Sequence, residues 1–391
     1  MPLIAWAVAS FAAGLVAAMS GTWEAALVAA ALLAWWSAED IAPPASLICF
    51  AAGLLIGMST SVPRSHFGNA QLKADSTAFT ERSRLRAAHN IDVAFGDDAP
   101  LAKALLVADQ SEIPREIKDL YADAGIVHML SISGMHVTII AGSVALVMQL
   151  LRLPTRVASI AAVCVVLAYV CMLGFPPPAV RSAVMVTVVV GSKVLQRHSS
   201  RWAALALGAL FPLLRPETVL DLGYQLSIGG MAGLIAGAAV ARRTPLAKYR
   251  DWRGTLGRAL LISIAATVVT GPLVASAFGR LSVIAPLTNL VADPVLALAQ
   301  PMLFLALVLA PWPAAAHFVA IAAHPLLQLF NLIAWAGASV PYAAVAVAPS
   351  RAATLLLGVA SVAIVVACVS RFPARAALVA TGAIAAAAWI V

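Results

Sequence analysis

Residues 155–174 read TRVASIAAVCVVLAYVCMLG, and no charged residue follows Arg156 until Arg181. An uncharged run of this length matches a helix that crosses a bilayer, which needs about 20 apolar residues. A membrane barrel would instead show segments of about ten residues with strict alternation. The pattern recurs on both sides. Upstream, apolar stretches occupy 3–19, 22–36, 41–58 and 126–151; downstream they occupy 177–195, 202–215, 218–241, 256–278, 282–311, 315–340, 352–369 and 376–391. Together these predict an all-α, polytopic membrane protein with about 13 transmembrane helices. Composition agrees: 62% of the 391 residues are hydrophobic and 11% charged, with mean hydropathy +0.95, whereas a soluble chain carries about 25% charged residues. A soluble fold is excluded.

Between Met58 and Ile126 the composition turns polar, with ten acids and eight bases, which leaves 17 bases against 7 acids in the rest of the chain. Lys and Arg are retained on the cytoplasmic side of short loops. Basic loops recur at every second connection: Arg152 and Arg156; Lys193, Arg197 and Arg201; then Arg242, Arg243, Lys248, Arg250, Arg253 and Arg258. This alternation puts the N terminus inside and 59–125 outside, and the C terminus outside if 282–311 crosses once. The formal charge of +8 therefore reflects orientation first and does not by itself indicate a nucleic-acid partner. No basic residue precedes the first apolar run, which reads as a membrane helix and not as a cleaved signal. The cysteines, Cys49, Cys164, Cys171 and Cys368, all fall in apolar stretches and have no metal or disulfide spacing. Four regions result: N-terminal membrane helices (1–58), an extracytoplasmic segment (59–125), a core (126–311) and C-terminal membrane helices (312–391). Within the outside segment, 59–80 shows no period, whereas 99–123 predicts two short helices at the outer membrane surface, the second opened by Pro114.

Polar groups inside membrane segments cost free energy and so become candidates for a pathway. The densest set is HMLSISGMHV, 128–137, where Ser131, Ser133 and Gly134 interrupt the expected fourth membrane helix. A local break or a close helix contact is expected there. On one helix His128 and His136 would lie about 80° apart. These residues either permit tight packing or line a pore. Phe175 and the triplet Pro176, Pro177, Pro178 precede Arg181, whose side chain either snorkels to water or faces an internal cavity. Asp221, followed by Gln225 and Ser227, reads equally as a partner for Arg181 or as an N-terminal helix residue. Asn289 and Asp293 lie in a stretch with Pro286, Pro294 and Pro301, which predicts a broken helix.

Signs of catalysis are sparse. No H-E-x-x-H pair occurs, and His66, His89, His198, His317 and His324 form no cluster. Ser131-Ile132-Ser133-Gly134 approximates the G-x-S-G of intramembrane serine proteases with Ser in the leading position, and a dyad would need His317 or His324. No Lys follows a Gly, so no G-K-[ST] phosphate loop is present. No catalytic residue, metal or cofactor is expected.

Four blocks carry a specific resemblance: LAKALLVADQSEIP (101–114), HMLSISGMHV (128–137), GFPPPAVRSAVM (174–185) and DLGYQLS (221–227). Their order and spacing resemble the channel domain of the ComEC competence proteins, and PLTNLVADPV (286–295) fits the same domain. The resemblance implies a channel that carries single-stranded DNA across the bacterial cytoplasmic membrane during transformation. The cost of moving phosphates into an inside-negative cell, with no phosphate loop in the sequence, predicts a separate ATP-driven translocase in the cytoplasm, and any nuclease would be a separate protein. The sequence resembles a short form with the channel domain only: 59–98 is too short for a complete OB barrel, and no H-x-H-x-D cluster of a metallo-beta-lactamase-like domain occurs. The alternatives are a small-molecule or lipid-precursor transporter and, more distantly, an intramembrane hydrolase.

Overall fold

The computed structural model describes residues 3–20, 49–53, 70–132, 134–198, 200–347, 350–369, 379–385 and 387. Ser133 lies outside the described residues, as does most of the expected stretches 22–36, 41–58 and 376–391. The described helices are α1 (Leu3–Ser20), α2 (Ala70–Phe95), α3 (Ala99–Val107), α4 (Arg115–Asp123), α5 (Gly134–Leu150), α6 (Thr155–Met172) and α7 (Pro177–Val194). They continue with α8 (Arg201–Leu210), α9 (Leu222–Arg243), α10 (Trp252–Phe278), α11 (Ala285–Val308), α12 (Pro313–Ala338) and α13 (Arg351–Val369). Two three-residue strands, β1 (Arg280–Ser282) and β2 (Ala344–Ala346), pair with each other. The all-α class holds. Five of the described helices, α6, α9, α10, α11 and α12, are long and apolar enough to cross a membrane.

The chain divides into two compact units. One comprises 1–65, 199–281 and 346–391; the other comprises 66–198 and 282–345. In the first, α9 packs along α10, and α13 packs on both. The close approach is made by Gly233 and Gly237, four residues apart on α9. A Cβ at Gly233 would lie 2.8 Å from Ala266 Cα, and one at Gly237 2.8 Å from Ala265 Cβ. Small residues at this spacing let helix backbones meet where no water drives association. The expected stretch 202–215 is only partly α-helical: α8 has 10 residues and is followed by a 3-10 turn at Pro212–Leu214.

In the second unit, α5, α6 and α7 form one helical layer, and α11 with α12 forms an antiparallel hairpin that carries the polar segment. The stretch without visible period at 59–80 runs into the 26-residue α2. Among its described side chains, Ala87, Ile91, Ala94 and Phe95, near its end, are buried in the core. The break expected in 282–311 is absent, since α11 is continuous from Ala285 to Val308. Pro286 sits in its first turn, where no amide hydrogen is required. Pro294 and Pro301 lie in the interior, where packing on α12 supports a helix that each proline weakens by one hydrogen bond.

The second expectation to change concerns 99–123. Two short helices are present, yet α3 is buried from Ala102 to Val107 in the core shared with α11 and α12. Its C-terminal carbonyls cannot be satisfied within the helix. Side chains supply the donors: Tyr169 Oη of α6 donates to Leu106 O at 2.8 Å, and Gln300 Nε2 of α11 to Leu105 O at 3.3 Å. Lys103, also buried, pairs with Asp92 at 2.8 Å and with Glu112. Burial opposes the charged ammonium, but the hydrogen bonds and charges of these two carboxylates outweigh it and raise its pKa.

The α11–α12 hairpin meets this segment along its whole length. His317 Nδ1 lies 2.9 Å from Ala94 O, His324 Nδ1 2.5 Å from Asp98 Oδ2, and Gln328 Nε2 3.4 Å from Asp98 Oδ1. Further along, Tyr121 Oη donates to Asn331 Oδ1. At the far end, Thr288 Oγ1 donates to Ala124 O at 2.5 Å and Ser282 Oγ to Asp123 O at 2.8 Å. His317, His324, Gln328 and Asn331 recur at intervals of seven, four and three, so they share one face of α12. Isolated in the sequence, they form one polar seam.

Candidate functional site

Arg181 and the HMLSISGMHV block meet in the second unit, and the local structure explains how. Gln110 Nε2 donates to Leu130 O at 3.0 Å and holds the 3-10 turn Val127–Leu130. Gln110 is itself placed by a tight turn in which Asp109 Oδ1 accepts from the amide of Ser111 at 3.0 Å and from its hydroxyl at 2.7 Å. These bonds to Ser111 hold the Asp109 carboxyl below its ordinary pKa.

His128 lies on the 3-10 turn and Ser131 is extended, with φ −101° and ψ 150°. The α-helix begins only at Gly134. The expected helix start at 126 is thus displaced to 134, and the 80° relation between His128 and His136 on a single helix does not apply. The reason is local. Ser131 Oγ donates to His128 O at 2.8 Å, so its side chain serves the 3-10 turn. His136 is fully buried one half-turn into α5.

The facing element is the turn between α6 and α7. The amide of Gly174 donates to Cys171 O at 3.1 Å and that of Phe175 to Val170 O at 3.1 Å. These two bonds close α6 as a Schellman motif with glycine at its left-handed position. The next residue, Phe175, is also left-handed, with φ 58°, and its ring is 57% exposed. A bulky residue in that region stores roughly 1–3 kcal/mol of strain. Pro176 is extended, Pro177 and Pro178 open α7 where they cost no amide hydrogen bond, and Arg181 follows.

Arg181 is 2% exposed, so the snorkelling alternative is excluded. Its Nη2 donates to Ser182 Oγ at 3.0 Å and its Nη1 points at Met185 Sδ at 2.9 Å, while Ser182 Oγ donates to Pro178 O at 2.8 Å. The guanidinium lies against the first turn of α5. A Cβ at Gly134 would stand 2.6 Å from Arg181 Nη2 and 2.7 Å from Ser182 Oγ. A methyl there would have to displace the end of the Arg181 side chain, and the cation meets the positive end of a helix dipole.

Asn289 and Asp293 stand one turn apart on α11; Asn289 Oδ1 is buried and has no hydrogen-bond donor among the described residues, and Asp293 is exposed. Asp221, Gln225 and Ser227 belong to the first unit. Asp221 is the N-cap of α9 and accepts from the Tyr224 amide at 2.7 Å, in keeping with the helix-terminus alternative. Gln225 Nε2 donates to Val219 O at 2.9 Å and bridges the preceding 3-10 turn. Among the described residues no group of three or more His, Cys, Asp or Glu could hold a metal.

A family model described as Competence protein matches residues 105–372. ComE operon protein 3 of Bacillus subtilis (strain 168) is 27% identical over 199 residues, which is 51% of this chain and 25% of that protein. Competence protein ComA of Neisseria gonorrhoeae is 32% identical over 214 residues, 52% of this chain and 29% of that protein. Uncharacterized protein YcaI of Escherichia coli (strain K12) is 29% identical over 140 residues, 33% of this chain and 18% of that protein. The chain thus spans less than a third of the length of the curated relatives it matches. No solved structure matches it.

Proposed function

Because the chain belongs to the ComEC family of competence proteins, we propose that it is a multi-pass inner-membrane conduit for single-stranded DNA during natural transformation. The alternation of basic loops supports an N terminus inside and a 59–125 segment outside. The observation that carries the reading is the junction of Arg181 with the first turn of α5, where a buried guanidinium and a helix N-terminus present two positive features to one place. A guanidinium and a helix N-terminus are both groups that favour an anion such as a backbone phosphate. Because this junction is closed by Gly134 and Ser182, a strand gains access to Arg181 only when α5 and α7 separate. The exposed ring of Phe175, at the turn leading into α7, offers a stacking surface that tolerates any base. The chain acts here as a passage and not as an enzyme, and a separate ATP-driven translocase draws the strand inward.

The test is genetic and biochemical. In a transformable host without a second copy, deletion of the gene is expected to abolish entry of labelled DNA into the cytoplasm while leaving DNA bound outside. Restoration with Arg181→Ala or His136→Ala is expected to return the protein to the membrane at normal abundance but not to restore entry. Unchanged entry in the deletion strain would overturn the proposal and favour a small-molecule or lipid-precursor transporter.

A further inference from the structure

The loop that joins α9 to α10 combines charge with exposed aromatic surface. Arg242, Lys248, Arg250 and Arg253 are exposed, and so are the rings of Tyr249 at 58% and Trp252 at 70%. The one acid among them is occupied, because Asp251 Oδ1 caps α10 by accepting from the Gly254 amide at 3.1 Å. The loop also has a fixed shape. Arg258 Nη1 donates to Leu246 O and to Tyr249 O, both at 2.7 Å, and Nη2 lies 3.1 Å from Thr255 Oγ1. Gly254 fits beneath it, for a Cβ there would stand 2.4 Å from Tyr249 O. The Arg253 guanidinium sits 5.4 Å from the centroid of the Trp252 ring.

Such a loop could serve lipid or nucleic acid, and its height above the apolar core decides between them. The apolar part of α10 begins at Ala259, seven residues after Trp252, or about 10 Å along the helix axis. The headgroup layer on each face of a bilayer is only about 5–7 Å thick. Trp252 thus stands beyond the depth at which interfacial aromatics anchor a helix, while Tyr249 folds back beside the first turns of α10, where its carbonyl meets Arg258.

We propose that the loop 242–258 is a receiving platform for single-stranded DNA on the cytoplasmic face, a site that rests on the conduit reading above. Tyr249 and Trp252 stack bases, and Arg242, Lys248, Arg250 and Arg253 neutralise phosphates. Stacking accepts every base, and the prearranged backbone lowers the ordering cost of binding. Arg258 is a positioning residue: it holds the loop and does not touch the strand.

The full chain, in nanodiscs of neutral phosphatidylcholine, is titrated into a fluorescein-labelled oligothymidylate, and binding is followed by anisotropy across a range of salt. Tyr249→Ala with Trp252→Ala is expected to weaken binding by about tenfold or more. Tyr249→Phe with Trp252→Tyr is expected to retain it, which separates stacking from structural damage. Lys248→Gln with Arg250→Gln is expected to lower the slope of log affinity against log salt by about 1.4, or about 0.7 per phosphate contact. Wild-type affinity and slope in the alanine and glutamine variants would overturn the platform. So would variants that bind the oligonucleotide normally but lose stability only in anionic phosphatidylglycerol nanodiscs, since the loop would then be a lipid anchor. Gene-dependent DNA entry combined with normal binding by the variants removes the platform alone, whereas gene-independent entry removes the conduit reading.

Discussion

Gly134 is where the architecture of the candidate site depends most on a single atom. A methyl group there would collide with Arg181 Nη2 at 2.6 Å and with Ser182 Oγ at 2.7 Å, whereas a Cβ at Gly142 on the same helix meets nothing within 4 Å. Overpacking of this kind costs about 1–3 kcal/mol, while Gly→Ala at an open helical position gains up to about 1 kcal/mol. Gly134→Ala should therefore lower the thermal midpoint of the purified protein in detergent, and Gly142→Ala should leave it equal or higher. Equal midpoints for both would mean that the Arg181 guanidinium and Ser182 hydroxyl give way to the added methyl. Asp109 supports the same block from a distance. Its pKa is lowered by the Ser111 bonds, so its contribution is fully present above the unfolded value of 3.8 and is lost as the pH falls through the lower folded value. Asp109→Asn should flatten this acid limb of a stability profile, and an unchanged limb would assign the acid sensitivity to other carboxylates.

At the scale of elements, both ends of the α11–α12 hairpin are tied to one polar segment. Thr288, near the start of α11, bonds Ala124, and His317, just after the turn, meets Ala94. Between these contacts the segment exposes Asp97, Glu112, Arg115 and Glu116 and holds Asp109 and Lys118 half-buried, too many charges for the hydrocarbon core. The turn at 309–312 should then lie on the same side of the membrane as Asp98, although each helix is long enough to span. Cysteines introduced at Pro311 and at Asp98 are expected to react together with an impermeant thiol reagent on intact spheroplasts; reaction of Pro311→Cys only after lysis would show that α11 crosses. Two fewer crossings would leave the parity, and hence the orientation of the flanking helices, unchanged. The apolar runs were legible in the sequence because length and hydropathy suffice for a lipid-facing helix. The polar seam of α12 was not, since its partners lie more than 200 positions away and its four residues look isolated one by one. The same limit applied to α11, whose prolines argue for a break when neighbours are ignored, and to α3, whose burial depends on Tyr169 and Gln300. The break before Gly134 was legible, because Ser and Gly weaken a helix by local chemistry. The contact of Gly134 with Arg181 was not.

For the molecule as a whole, the central question is what moves the strand. Carrying phosphates into an inside-negative compartment costs about 2.3 kcal/mol per elementary charge for each 100 mV when the full charge crosses. The sequence has no G-K-[ST] loop, and the conduit is accordingly proposed to be passive, with its driving force supplied by another protein. Reconstitution with a potential of either sign tests this most directly. Purified protein in liposomes should give nuclease-protected labelled single strands when the interior is positive, and none when it is negative, with or without ATP. Arg181→Ala should abolish the protected signal. Absence of protected strand with a positive interior, or sustained uptake against a negative one, would contradict a passive conduit for single-stranded DNA.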